Sequence, residues 1–177
     1  MGSIYNVSKW TTSPSTFKKN DFVEDSATDG RYWYSLQDDN SGQTPAVGST
    51  HWDGNINVTI DGSTTIQPYF FWAPSYNVQV SHQPRIQTIQ FGDGYEQRLK
   101  DGINNDILKL NLSFESRGEQ EAAAILHFLH TKGGYAPFYF KTTPPYSIIK
   151  KFVCKSFNST FVFADNYNVT CSLEEVS

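Results

Sequence analysis

The sequence predicts a mainly β protein, a sandwich or barrel flanked by one α-helix and preceded by a small all-β module. Three observations carry this. The stretch ILKLNLSFE (107–115) puts Leu108, Leu110, Leu112 and Phe114 on one face and Lys109, Asn111, Ser113 and Glu115 on the other, the period of a half-buried strand. A single segment, about 118–132, has helical periodicity with start and stop signals. Aromatic residues make up 15% of a chain that is only 38% hydrophobic, so large rings must build much of the core.

The composition shifts near residue 60. Residues 1–60 hold four basic and seven acidic side chains and three of the four tryptophans, Trp10, Trp33 and Trp52. DGNINVTIDGSTTIQP follows, with two Asp-Gly turn signals around a short alternating strand, and a boundary is expected within 54–66. The expected units are therefore 1–60 and 61–177.

The first unit reads as short strands around Phe22–Val23, at RYWYSLQ and on the approach to Trp52. About 60 residues bury little surface, so Trp10 and Trp52 are expected to form a miniature core, with Tyr32 and Tyr34 on its inward face. Alternation then points Trp33 the opposite way, either outward to a sugar or partner or inward against the second unit. WTTSPSTFKKNDFV, DGRYWYSLQDDNSGQTP and HWDG, in this order, resemble the small chitin-binding-type carbohydrate-binding modules found on glycosidases and phage tail proteins. That resemblance covers most of residues 8–54 and implies a glycan contact, with Trp33 the candidate. Asp38, Asp39 and Asn40 read as a solvated turn, because Gly42 is off register for a calcium loop and no Glu closes it.

In the second unit strands are expected at IQPYFFWA, YNVQV, RIQTIQF, GYEQRL, ILKLNLSFE, APFYFKT, IIKKFVCKSF, STFVFA and NVTCSLEEV. The helix has Ser116 as its expected cap, Glu119 and Glu121 in its first turn, and an apolar stripe of Ala122, Ile125, Leu126 and Leu129. Lys132 sits in its last turn, and Gly133-Gly134 supplies a left-handed stop. His127 and His130 share a metal-like spacing but have no third ligand nearby, so they are expected as surface or rim histidines. Cys154 and Cys171 are expected to be reduced, half-buried strand residues, with Cys171 packing beside Val169 and Leu173.

Composition and motifs argue against several function classes. The net charge of −4 does not point to a nucleic-acid-binding surface, and no apolar run approaches the ~20 residues of a membrane span. The start, MGSIYNVSKW, has no signal-peptide pattern. No nucleophile elbow or phosphate-binding loop is present. QFGDGYEQRLKDGIN (90–104) lacks the third glycine and the following helix of a dinucleotide site. Its Gly92 and Gly94 read instead as turn devices at φ > 0 in a tight hairpin. No enzyme activity, metal or cofactor is expected.

Trp72-Ala73-Pro74, Phe91–Arg98 (FGDGYEQR), Gly102–Asn104, Phe128-Leu129 with Gly133-Gly134, Pro137-Phe138, Cys154 and Glu174-Glu175 recur in this order in a known pattern. Over about residues 66–177 the chain resembles the phage minor tail protein M family of lambda-like tail tips. The resemblance implies a tail-tube-like β-sandwich and a non-catalytic virion protein assembled in the host cytoplasm. Its subunits would form a ring, a hexamer by the family pattern, that ends the tail tube and joins it to the distal hub. Tail tube, hub and tape measure proteins are the implied partners, and DNA would cross the lumen without specific binding. The signature hairpin then carries the candidate interface residues Phe91, Asp93, Tyr95, Glu96, Arg98 and Asn104. The alternative reading is a glycan-binding accessory protein of the tail that uses its N-terminal aromatics.

Overall fold

The computed structural model describes residues 7–11, 16–25, 31–46, 48–53, 58–60, 63–65, 68–103 and 105–176. The N-terminal part has β1 (Ser8–Lys9), β2 (Thr16–Phe17), β3 (Phe22–Glu24), β4 (Tyr32–Ser35), β5 (Asn40–Ser41) and β6 (Trp52–Asp53). A hairpin of β7 (Val58–Ile60) and β8 (Ser63–Thr65) follows. The remainder has β9 (Gln79–Pro84), β10 (Ile86–Gln90), β11 (Glu96–Lys100), β12 (Asp106–Arg117), α1 (Glu119–Lys132), β13 (Phe138–Lys141), β14 (Ile149–Phe163) and β15 (Asn166–Glu175). This is the mainly β architecture with one helix that the sequence predicts.

The body is a five-stranded antiparallel sheet in the order β13-β14-β15-β12-β9, curled into a half-barrel. Alternation along β12 works as read from the sequence. Leu108, Leu110, Leu112 and Phe114 are all buried, and Leu110, Leu112 and Phe114 lie opposite Leu173, Cys171 and Val169 of β15. The helix lays Ala122, Ile125, Leu126 and Leu129 into the same core, and Gly133 ends it at φ 57 with its N–H shared between the His130 and Leu129 carbonyls. Cys154 and Cys171 are both unoxidised and buried. The Cys171 thiol is held well above its usual range by its hydrogen bond with Cys154 and by burial.

Four expectations are corrected. Ser116 does not cap the helix: β12 runs on to Arg117, Gly118 is the N-cap, and Asp165 Oδ1 accepts the Glu119 N–H at 2.9 Å. The cap comes from the β14–β15 turn, brought there by the fold. IQPYFFWA is not a regular strand. Of its described residues only Tyr69 forms a bridge, to Tyr139, while Phe70 and Trp72 plunge into the core and Phe71 stacks on Trp72 at 4.2 Å. Aromatic burial outweighs ladder pairing here. IIKKFVCKSF and STFVFA form one 15-residue strand, because β15 pairs along its whole length and two register shifts absorb the irregularities. His127 is not a surface group: it is buried and hydrogen-bonded through Nδ1 to the Tyr32 hydroxyl. Burial holds its pKa below the ordinary histidine value.

The last contact shows how the N-terminal part attaches. β3 and β4 pair antiparallel in a sheet ordered β1-β3-β4-β6. One face of this sheet closes a small core of Trp10, Val23, Trp33 and Trp52, so the first and last of these tryptophans act as the miniature core expected. The other face sends Tyr32 and Phe22 into the main core. Tyr32 therefore does not lie inward on the small core, as alternation around Trp10 and Trp52 suggested. The helix surface offered it a larger apolar seat beside Trp72 and Phe128.

Candidate functional site

QFGDGYEQR forms a two-stranded ribbon of β10 and β11 that stands apart from the main sheet. Ile86 pairs with Lys100, Gln87 with Leu99, Thr88 with Arg98, Ile89 with Gln97 and Gln90 with Glu96. The turn is Gly92–Gly94, closed by the Phe91 N–H donating to the Tyr95 carbonyl at 2.8 Å. Positive φ falls on Asp93 (69°) and Gly94 (80°), so the expected left-handed role of Gly92 passes to Asp93. A short aspartate tolerates this region, whereas a larger side chain at Gly94 would be strained. The base is tied by the Arg85 N–H to the Asn105 carbonyl and the Asp101 N–H to the Arg85 carbonyl.

Residues directly opposite one another in an antiparallel pair share a face, and successive pairs alternate. One face of the ribbon thus carries Ile89, Leu99, Phe91 and Tyr95 with Gln87 and Gln97. The other carries Thr88, Arg98, Gln90, Glu96 and Lys100 with Ile86. All residues of both strands are exposed, and Phe91 and Tyr95 are 54% and 76% open to solvent. An isolated two-stranded hairpin is marginal in water, and this one leaves its apolar face bare among the described residues. Both outer edges of the ribbon are also unpaired among the described residues and can extend a neighbour's sheet.

The candidate residues divide accordingly. Phe91 and Tyr95 lie on the apolar face at the tip, while Glu96 and Arg98 form an exposed pair at 3.4 Å on the polar face. Asp93 shapes the turn, and Asn104 lies outside the described residues. An exposed ion pair of this kind contributes about 0–1 kcal/mol to stability. Among the described residues no group of three metal-ligating side chains occurs. Trp33 is 2% exposed, and its indole N–H donates to Asp25 Oδ2 at 2.9 Å. That burial corrects the reading of Trp33 as a glycan contact, since stacking on a sugar requires an open ring face.

A second bare apolar patch was not singled out from sequence. At the far end of β14, Phe161, Val162 and Phe163 are 63%, 48% and 61% exposed. Three consecutive apolar residues in one strand place side chains on both faces, and that run was the available signal.

Residues 68–177 match the family model described as phage minor tail protein. The chain is also 32% identical over 77 residues to tail tip protein M of Escherichia phage lambda, an overlap of 44% of this chain and 68% of that protein. Residues 1–67 lie outside the family match, which lends no support to the carbohydrate-module resemblance. The half-barrel, the helix on its apolar face and the FGDGYEQR ribbon all fall within the matched region: the chain belongs to the phage minor tail protein family and is a component of the phage tail, and so of the virion.

Proposed function

We propose that this protein is a structural, non-catalytic ring subunit of the tail tip that ends the tail tube, joins it to the distal hub and leaves a lumen for DNA. The observation that carries this is the bare apolar face of the β10–β11 ribbon, Ile89, Phe91, Tyr95 and Leu99. A ring requires heterologous contacts, in which one patch of each subunit meets a different patch of the next. The ribbon is one such patch, self-contained and projecting, and the similarity to a tail tip protein supports its use in assembly. Phe91 and Tyr95 anchor the contact, Glu96 and Arg98 orient it, and Asp93 holds the turn. Tail tube, hub and tape measure proteins are the neighbours such a ring would meet. The segment 1–60 is an accessory unit seated on the helix side of the subunit.

Sedimentation of the purified chain, and its copy number in isolated tails, test this reading. A closed oligomer, or a fixed whole-ring copy number per tail, is expected. A monomer present in tails at less than one ring's worth would overturn it.

A further inference from the structure

A cleft of about 610 Å³ lies where the N-terminal sheet meets the first turn of α1. Its volume is in the range of small-ligand sites, which favour junctions between structural units. The floor is aromatic: Phe22 and Tyr34 from the N-terminal strands face Phe71 and Trp72 of the strap before β9. Around that floor stand Lys19, Asn20, Glu119 and Gln120, whose side chains have no partner among the described residues. Glu121 and Asp165 also line it, but one is paired with Arg117 at 2.8 Å and the other accepts the Glu119 N–H. The indole Nε1 of Trp72, in a residue 3% exposed, is buried without an acceptor among the described residues.

We propose that this cleft binds a neutral carbohydrate, one or two pyranose rings deep. Three carboxylates against one lysine disfavour anions, so phosphorylated or sulfated ligands are excluded. Cations are poorly matched too, because Glu121 and Asp165 are already engaged and Lys19 stands on the same rim as Glu119. A neutral sugar has C–H groups for the half-buried rings of Phe22, Tyr34 and Phe71, and hydroxyls that both donate and accept for an amide, a carboxylate and an ammonium group. The site is separate from the β10–β11 ribbon, and the proposal holds whether or not the chain forms a ring.

The test is calorimetry of the full chain with neutral tetrasaccharides of glucose and of N-acetylglucosamine, alongside Asn20→Gly and Gln120→Ala. Asn20 has φ 69, so glycine removes the amide without straining the turn. Saturable binding to at least one sugar is expected, weakened about tenfold in each variant, as for the loss of one hydrogen bond to the ligand. The variants should keep the wild-type melting temperature and still assemble into tails. No binding to either sugar, or binding unchanged in both variants, would refute the proposal. Protection of Lys19 from acetylation in intact tails would seat another tail protein in the cleft and would also refute it.

Discussion

His82 Nε2 lies 2.8 Å from the hydroxyl of Tyr146, joining β9 at one edge of the five-stranded sheet to the loop after β13 at the other. Asp106 Oδ2 lies 2.8 Å from the opposite ring nitrogen, Nδ1, so the imidazole is held from both sides. His82 and Asp106 sit on the paired strands β9 and β12, and Tyr146 latches them to the loop after β13, which no ladder connects to β9. Tyr146→Phe removes the hydroxyl and is expected to lower stability by about 0.5–1.5 kcal/mol, near the lower end because the latch is partly exposed. Urea denaturation measures it, and no change in midpoint would show that the sheet curls without the latch.

The junction between the N-terminal part and the helix rests on Tyr32 and His127. Tyr32→Phe leaves a buried imidazole nitrogen unpaired and is expected to cost about 1–3 kcal/mol. The same pair makes stability depend on pH. The His127 pKa is lowered in the fold by burial, so below about 6.5 the unfolded chain takes up a proton that the folded chain resists. The contribution is fully present above that value and is lost as pH falls through the lower folded value. His127→Gln should flatten this part of the stability profile, and an unchanged slope in the variant would place the titration elsewhere.

Asp165 caps α1 from the β14–β15 turn and sits at φ 55. Asp165→Ala should lose the cap and strain the left-handed backbone, about 1–3 kcal/mol together. Asp165→Asn keeps an acceptor and tolerates this φ, so its loss should be under about 0.5 kcal/mol. Thermal denaturation of the two variants distinguishes a cap from a general charge effect.

Gly94 adopts φ 80 and has open space around the position of a Cβ. Gly94→Val should therefore cost about 1–2 kcal/mol through backbone strain alone. The ribbon packs little on the body, so that cost should appear as faster amide exchange in β10 and β11 and slower assembly, with little shift in global unfolding. Normal tail assembly with this variant would show that the ribbon's order matters little.

The two ribbon faces should respond differently to charge. Ile89→Lys, on the apolar face, is expected to leave the subunit's stability within about 0.5 kcal/mol while abolishing oligomers. Ile86→Lys, on the other face, should assemble. Equal behaviour of the two in sedimentation would remove the apolar face as the contact.

The sequence by itself determined the features that depend on neighbours along the chain. Alternation set the buried faces of β12 and β15, because successive side chains of a strand must point opposite ways. The 3.6-residue stripe and Gly133 set the helix and its end, and the glycines of FGDGYEQR announced a hairpin. Only the tertiary structure decided matters that depend on which surfaces meet. It moved the helix cap from Ser116 to Asp165, turned Tyr32 onto the helix and Trp33 into the small core, and fused two expected strands into β14. In each case a local preference worth about 1 kcal/mol gave way to burial of large aromatic surface or to a long cross-strand pairing. The bare ribbon face has the same origin: its alternation is legible in the residues, but its lack of cover appears only once every other element has found its place.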